Sequence, residues 1–301
     1  MIAVVGGYGV GMTMRVERAP EAGETVSGGV LSSGPGGKGS NQAIAIARLG
    51  HSSSIFTAIG DDSAGRDGED LWAAERVVSA AVMKSEPTMA AFITVEASGE
   101  NRISIAPGAL ESLSPGDVES YRDSIRDADL LVVSLEVPWV IARRCLEIAR
   151  EEGTRTLVNP APAHTLEVGD WALIDVLTPN ATEAAILTGD GDGSAEGLAG
   201  TIAALGCDVV LTVGENGAVV ADHEGITRID PVTVPRVVDT TGAGDAFTAA
   251  LAVGLVEGMS LRDAARFAAA AGAHAVTVAE VIPALPTREQ IAVLLGDKEP
   301  A

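Results

Sequence analysis

The stretch Val238-Asp239-Thr240-Thr241-Gly242-Ala243-Gly244-Asp245-Ala246-Phe247 decides how the rest of the chain is read. Gly242, Ala243 and Gly244 carry little or no side chain, so their N–H groups can converge on an anion. The run from Ala246 to Leu255 reads as a buried helix. A glycine turn that opens a helix leaves unpaired donors and the positive end of the macrodipole facing outward. Asp245 falls in the first turn, where a carboxylate can take a proton from a hydroxyl while the amides neutralise charge on a group in transfer. The same aspartate could instead simply cap the helix.

A second glycine-rich start, Gly36-Gly37-Lys38-Gly39-Ser40-Asn41-Gln42, precedes a strongly helical stretch from Ala43 to Leu49. It too places backbone donors at a helix N-terminus, and its glycines allow close approach to a ligand. Asn41 can donate to and accept from sugar hydroxyls. Lys38 stands out because the chain has only three lysines, Lys38, Lys84 and Lys298. The alternative is that Ser40 or Asn41 caps the helix. A third glycine-rich segment, Gly6 to Thr13, has the outline of a phosphate loop with Met12 where lysine should stand, and Gly7, Gly9 and Gly11 hint at a dinucleotide fingerprint. Both readings need a helix next, whereas Arg15 to Pro20 and Gly23 to Val26 read as extended chain and turn.

Around the two helix starts the pattern sets the architecture. Ile2 to Val5 is a short apolar strand, and Thr25–Ser33 and Ala90–Ile105 look strand-like, the second split by a turn at Ser98-Gly99-Glu100-Asn101. From Ser114 onward helices at Asp117–Ile125, Val140–Glu151 and Ala195–Leu205 alternate with strands at Leu130–Ser134, Thr156–Val158, Val176–Thr178 and Val209–Val213. This alternation calls for a parallel sheet covered by helices on both faces, with ligands beyond the strands' carboxyl ends. Polar residues fall at those ends: Glu136, Asn159, Asn180 with Glu183, and Gly214-Glu215-Asn216-Gly217. Taken singly, Glu136 could start a helix, Asn159-Pro160-Ala161-Pro162 could be a turn, and Asn180 to Glu183 fits a capping box as well as a metal–water shell. Leu261 to Val276 reads as a closing alanine-rich helix and the residues after Leu295 as a loose tail.

At 301 residues and 47% hydrophobic content, the chain has material for a sizeable core. A formal net charge of −22 argues against a sequence-independent grip on nucleic acid or an anionic membrane. Cys145 and Cys207 lack CxxC spacing and suit buried thiols, while His51, His164, His223 and His274 show no metal-ligand spacing. No signal peptide or 18-residue apolar run is present, so cytoplasm is the expected compartment.

With these residues in place, the whole chain resembles the ribokinase-like, or PfkB, family of carbohydrate and nucleoside kinases. The segments Gly36–Gln42 and Asp239–Asp245 carry the resemblance, supported by Asn159–Ala163, Thr178–Glu183 and Thr212–Gly214. It implies a single α/β domain over 1–301, a three-layer sandwich with a mostly parallel central sheet. A small β lid, formed by about 12–35 and 88–107, would cover the sugar and join a homodimer. It implies ATP and Mg²⁺, with Asp245 as the base and Gly242, Ala243 and Gly244 as the anion hole. Lys38 would meet the phosphates, and Gly36, Gly37, Asn41, Glu136 and Gly11 would surround the substrate. Asn180, Thr212, Gly214 and Gly217 would line the ATP site, and Glu183 would reach Mg²⁺ through water.

Two departures bear on function. Ribokinases follow the first strand with Asn-x-Asp, whose side chains grip sugar hydroxyls; here those places hold Gly9 and Gly11. A site without these groups should disfavour ribose and leaves room for a cyclitol or a nucleoside. A nucleoside base would need an apolar slot, for which Tyr8, Met12 and Phe92 are the candidates. Asp239 and Thr241 match one side of a potassium site, but the partner segment reads Glu280-Val281-Ile282-Pro283-Ala284 in place of Gly-Ala-x-x-Ser. The expectation is therefore an ATP-dependent kinase for a primary hydroxyl of a sugar or sugar-like compound. A nucleoside kinase and a non-catalytic sugar- or nucleotide-binding regulator of the same fold are the rivals.

Overall fold

The central feature of the computed structural model, which describes residues 1–98, 100–191 and 193–296, is a nine-stranded sheet. From one edge its order is Gly225–Ile229, Ala218–Asp222, Asp208–Thr212, Val176–Leu177, Thr156–Asn159, Leu130–Ser134, Ile2–Val5, Ser53–Phe56 and Val78–Ser79. Only the pairings made by Ala218–Asp222 are antiparallel; every other neighbour pair runs parallel. The inner strands Ile2–Val5, Leu130–Ser134 and Val176–Leu177 are almost continuous apolar runs because both faces are covered. Along Ile2-Ala3-Val4-Val5, Ile2 and Val4 join one core while Ala3 and Val5 join the other. The helices Lys38–Arg48, Ala243–Val256 and Leu261–Ala275 cover the first face, and Trp139–Glu152 and Ala195–Ala203 the second.

Strand Ile2–Val5 lies between Ser53–Phe56, to which the chain goes next on this sheet, and Leu130–Ser134, to which it returns on the other side. This reversal is the place where an open α/β sheet leaves a crevice beyond its strand ends. Gly6 and Gly7 leave the first strand there, and Glu136 follows Leu130–Ser134 at the same end.

The helix predicted from Ala43 begins five residues earlier, at Lys38. Gly37 precedes it at φ 96°, and a Cβ there would stand 2.5 Å from the Gly7 carbonyl oxygen. A Cβ on Gly39 would stand 2.6 Å from the Gly6 Cα. The helix therefore starts by backbone-on-backbone contact with the first strand's exit, which only glycines allow. Neither Ser40 nor Asn41 caps it, since both lie inside the helix.

A separate four-stranded sheet has the order Val30–Gly36, Gly9–Val16, Met89–Glu96, Asn101–Ala106. The strand expected at Thr25–Ser33 thus begins only at Val30, beyond Gly28 and Gly29, and the small sheet starts at Gly9. Asp117–Ile125 divides into two short helices, Pro115–Glu119 and Arg122–Arg126. Among the elements missed in the sequence are the strands Ser53–Phe56 and Val78–Ser79, the helix Ser63–Ala74 and the edge hairpin 218–229. Gly99 of the expected turn and residues 297–301 of the expected tail lie outside the described residues. Among the described residues no helix is long and apolar enough to cross a membrane.

The glycine junction gives a direct stability test. Gly39→Ala should destabilise by about 1–3 kcal/mol through overpacking against backbone, read as a lower Tm. Gly169→Ala, in the helix Val168–Trp171 with open space around its Cβ, should leave Tm unchanged or higher.

Candidate active site

Asp245 is buried, 6% exposed, in the first turn of the helix Ala243–Val256. It does not serve as a cap: its carboxylate is held by a different helix. Asn41 Nδ2 donates to Asp245 Oδ2 at 2.8 Å, and Gln42 Nε2 donates to Asp245 Oδ1 at 3.3 Å. Burial raises the Asp245 carboxyl above the ordinary aspartate range, opposed by the Lys38 charge and the two amide donors. The result is a strengthened base that still carries its charge-stabilising partners. Asn41 Oδ1 and Gln42 Oε1 are buried and meet no donor among the described residues. Of the two, the Asn41 oxygen beside Asp245 suits a hydroxyl brought by a ligand.

The two glycine helix starts differ in what their amides do. At the Lys38 helix, Glu136 Oε2 accepts from Lys38 N at 2.6 Å, Gly7 N at 3.1 Å and Gly39 N at 3.4 Å. Ser40 N donates to the Gly7 carbonyl and Asn41 N to the Gly37 carbonyl. The donors that the sequence offered to a ligand at this helix are thus taken by the protein. At the Ala243 helix, Ala243 N makes a long 3.4 Å bond to Thr240 O, and the N–H groups of Gly242, Gly244 and Asp245 meet no protein acceptor among the described residues. Gly242 takes the left-handed φ of 82°, and a Cβ on Gly244 would enter open space. This terminus is open to an anion.

Lys38 lies in the field of Asp245, Glu136 and Glu183. Burial acts against its charge, but those three carboxylates outweigh it and raise its pKa. Glu136 is pushed up to about 7, first by burial and then by the Asp245 charge, with Lys38 and the backbone donors acting the other way.

Asn180 and Glu183 form a reciprocal capping box, with Glu183 N on Asn180 Oδ1 and Asn180 N on Glu183 Oε2, both at 2.8 Å. Burial raises the Glu183 carboxyl while the Asn180 N–H and Lys38 oppose the rise. Asn180 also bridges to Thr212, which sets that strand end beside the helix Ala181–Thr188. Gly214 and Gly217 follow in a tight turn. Gly217, at φ 83°, would press a Cβ to 2.1 Å from the Ile229 carbonyl oxygen, so packing alone requires glycine there.

Asp239 Oδ1 accepts from Thr241 N at 2.9 Å and Thr241 Oγ1 at 2.7 Å. Its carboxyl is opposed by burial but held low by those bonds, by the Glu280 N–H and by the Arg15 charge. Glu280 adopts φ 67°, ψ 149°, a backbone shape natural to glycine.

On the small sheet, Gly9, Gly11, Thr13 and Arg15 share one face, and the Arg15 charge acts on Asp239. Gly36 and Gly11 have room for a side chain, with the nearest atoms to a Gly11 Cβ at 3.9 Å. Gly9 has none, as a Cβ would meet the Met89 carbonyl oxygen at 2.4 Å. Met12 and Phe92 pair on the opposite face. Tyr8 is fully buried against Trp72 and donates to the Ala64 carbonyl. The three residues offered as a nucleobase slot are therefore turned away from Gly11. Asn159 is legible only as a polar strand-end residue and Gln42 only as part of the quoted motif; nothing local marks either as linked to Asp245.

Comparison with known proteins adds the following. The profile of the pfkB family carbohydrate kinases matches residues 3–288. The chain is similar to a ribokinase of Haemophilus influenzae, 35% identical over 295 residues that cover 96% of both chains. It is 32% identical to a ribokinase of Schizosaccharomyces pombe, covering 94% of this chain and 95% of that one. Among solved structures, Thermotoga maritima ribokinase superposes with a TM-score of 0.90 at 29% identity, covering 98% and 99% of the two chains. Arabidopsis thaliana ribokinase, complexed with ribose and ATP, superposes at 0.88 and 29% identity, covering 98% of each.

The position of Glu136 makes stability depend on pH. A carboxyl raised from its ordinary 4.5 to about 7 binds more protons in the folded state across that window. Its contribution is present below the unfolded value and lost as pH rises through the folded one. Chemical denaturation of Glu136→Gln beside the parent should show the variant gaining relative stability from pH 4.5 to 7 and no further change above; a constant difference would contradict this environment.

Proposed function

The chain belongs to the pfkB family of carbohydrate kinases and is an ATP-dependent sugar kinase; we propose that Asp245 is its general base and the open Ala243 helix terminus its anion hole. One observation carries this reading: of two glycine helix starts, only the one bearing Asp245 keeps unpartnered amides. Asp245 takes the proton of a primary hydroxyl as that oxygen bonds to the γ-phosphorus. The bond to ADP breaks in line, and charge on the equatorial oxygens is met by the N–H groups of Gly242, Ala243 and Gly244. Lys38, held charged among three carboxylates, adds a counter-charge at the phosphates.

Asn180, Thr212, Gly214 and Gly217 form the nucleotide side. Mg²⁺ fits the donor set, because this ion keeps several waters and takes one or two carboxylates with substrate phosphates. Glu183 would hold it through water, and no group of three His, Cys, Asp or Glu side chains forms a cage among the described residues. Bound there, the ion would supply positive charge to the phosphates. A monovalent cation fits less well: Asp239 is already occupied by Thr241 and Glu280 donors, and no step is assigned to potassium.

The substrate is a sugar or cyclitol bound by Glu136, Asn41 and the Gly36-Gly37 backbone, with the Gly11 face above it. Loss of polar groups at Gly9 and Gly11 disfavours ribose, and the outward turn of Met12 and Phe92 disfavours a nucleoside. Leu31 and Phe92 are more than half exposed on the face of the small sheet opposite Gly11, which supports a homodimer formed through that lid. Buried, unpaired Cys145 and Cys207 support a reducing, cytoplasmic setting.

ADP release should be measured with pentoses, hexoses, cyclitols and nucleosides, beside Asp245→Asn. The parent should turn over a sugar or cyclitol, and the variant should lose at least about 10²-fold in kcat while still binding ATP; comparable turnover would refute the base. Gly11→Asp, for which there is room, should raise kcat/KM for ribose. No rise would show that Gly11 does not set this preference.

A further inference from the structure

We propose that Gln42 and Asn159 are positioning residues for phosphoryl transfer, forming a relay of side-chain amides that runs from the Thr178 carbonyl to the Asp245 carboxylate. The inference rests on Asp245 being the base. Asn159 Nδ2 donates to Thr178 O at 3.0 Å, and Gln42 Nε2 stands 3.2 Å from Asn159 Oδ1 and 3.3 Å from Asp245 Oδ1. A carbonyl at one end and a carboxylate at the other can only accept, so the orientation of both amides is dictated from the two ends. Asn41 holds the remaining Asp245 oxygen. With both oxygens held from the neighbouring helix, the carboxylate cannot turn about its last bond.

The relay is wholly internal. Gln42 is 0% exposed, Thr178 3%, Asp245 6% and Asn159 8%. Gln42 Oε1 is left without a donor among the described residues. Packing alone would be served better by an apolar side chain of similar volume, which leaves no buried oxygen unmatched. The amide therefore has a role in its Nε2 contacts, and one of these is the base. Thr178 is followed by Pro179 and Asn180, so the relay also ties the base to the strand end of the nucleotide side. Buried hydrogen-bonded chains of this kind polarise one another and fix a single geometry.

Kinetics of Gln42→Leu separate this role from a structural one. Loss of a hydrogen bond to a charged group predicts a fall in kcat of about 10- to 100-fold. KM for ATP and sugar should change by less than about 3-fold, since no substrate contact is removed. The acid limb of kcat/KM should move to higher pH, because a donor that favours the carboxylate is gone. Lys38, Glu136 and Glu183, the other charged groups facing Asp245, remain in the variant, so the movement reports the relay. A lower Tm with an unchanged kcat and acid limb would overturn the proposal. If Gln42→Leu does not fold, Asn159→Ser breaks the upstream link, and an unaltered pH profile there would overturn it equally. Inactive Asp245→Asn with an indifferent Gln42→Leu defeats the relay alone, whereas active Asp245→Asn defeats the base assignment and the relay together.

Discussion

The hydrogen bonds from Asn41 and Gln42 to Asp245 join two helices whose N-termini meet over the crevice of the central sheet. A carboxylate buried this deeply is costly unless donors and a counter-charge surround it. Both come from the Lys38 helix: two amides in its second turn and the Lys38 ammonium at its start. That helix can reach Asp245 only because Gly37 and Gly39 let its backbone lie against Gly6 and Gly7. The identity of four glycines thus sets the position of a side chain more than two hundred residues away.

Glu136 completes the arrangement from the sheet's other side. Its Oε2 closes the amide end of the Lys38 helix, which leaves the Ala243 helix as the terminus with free donors. The two motifs look alike as sequences and, for this reason, differ in the donors they leave open to an anion. The opposition also resolves how so acidic a chain can handle phosphate: the local field is made by unpaired amides and Lys38, whatever the net charge of −22 does at long range.

Much of this was legible in the sequence. The parallel sheet followed from uninterrupted apolar strands spaced by helical runs, and the polar residues at strand ends marked the crevice. Less visible were features that depend on distant partners. The early start of the helix at Lys38 could not be read locally, because its first donors are satisfied by Glu136 and by carbonyls of Gly7 and Gly37. The roles of Gln42 and Asn159 arise only when strand Thr156–Asn159 and the Lys38 helix are brought together. Tyr8 looked available to a ligand because nothing nearby in sequence announces the Trp72 and Gly68 that enclose it. The small sheet was recognisable, but the distribution of its residues between two faces was decided by pairing register, which set Gly11 and Met12 on opposite sides.

The account's central claim is that the transferring group rests on the Ala243 helix terminus opposite Asp245. A crystal structure with ADP, Mg²⁺, aluminium fluoride and the acceptor sugar tests it most directly. The account predicts the planar fluoride on the N–H groups of Gly242, Ala243 and Gly244, with the acceptor hydroxyl on Asp245. Fluoride seated at the Lys38 helix terminus, or an acceptor hydroxyl turned away from Asp245, would contradict it.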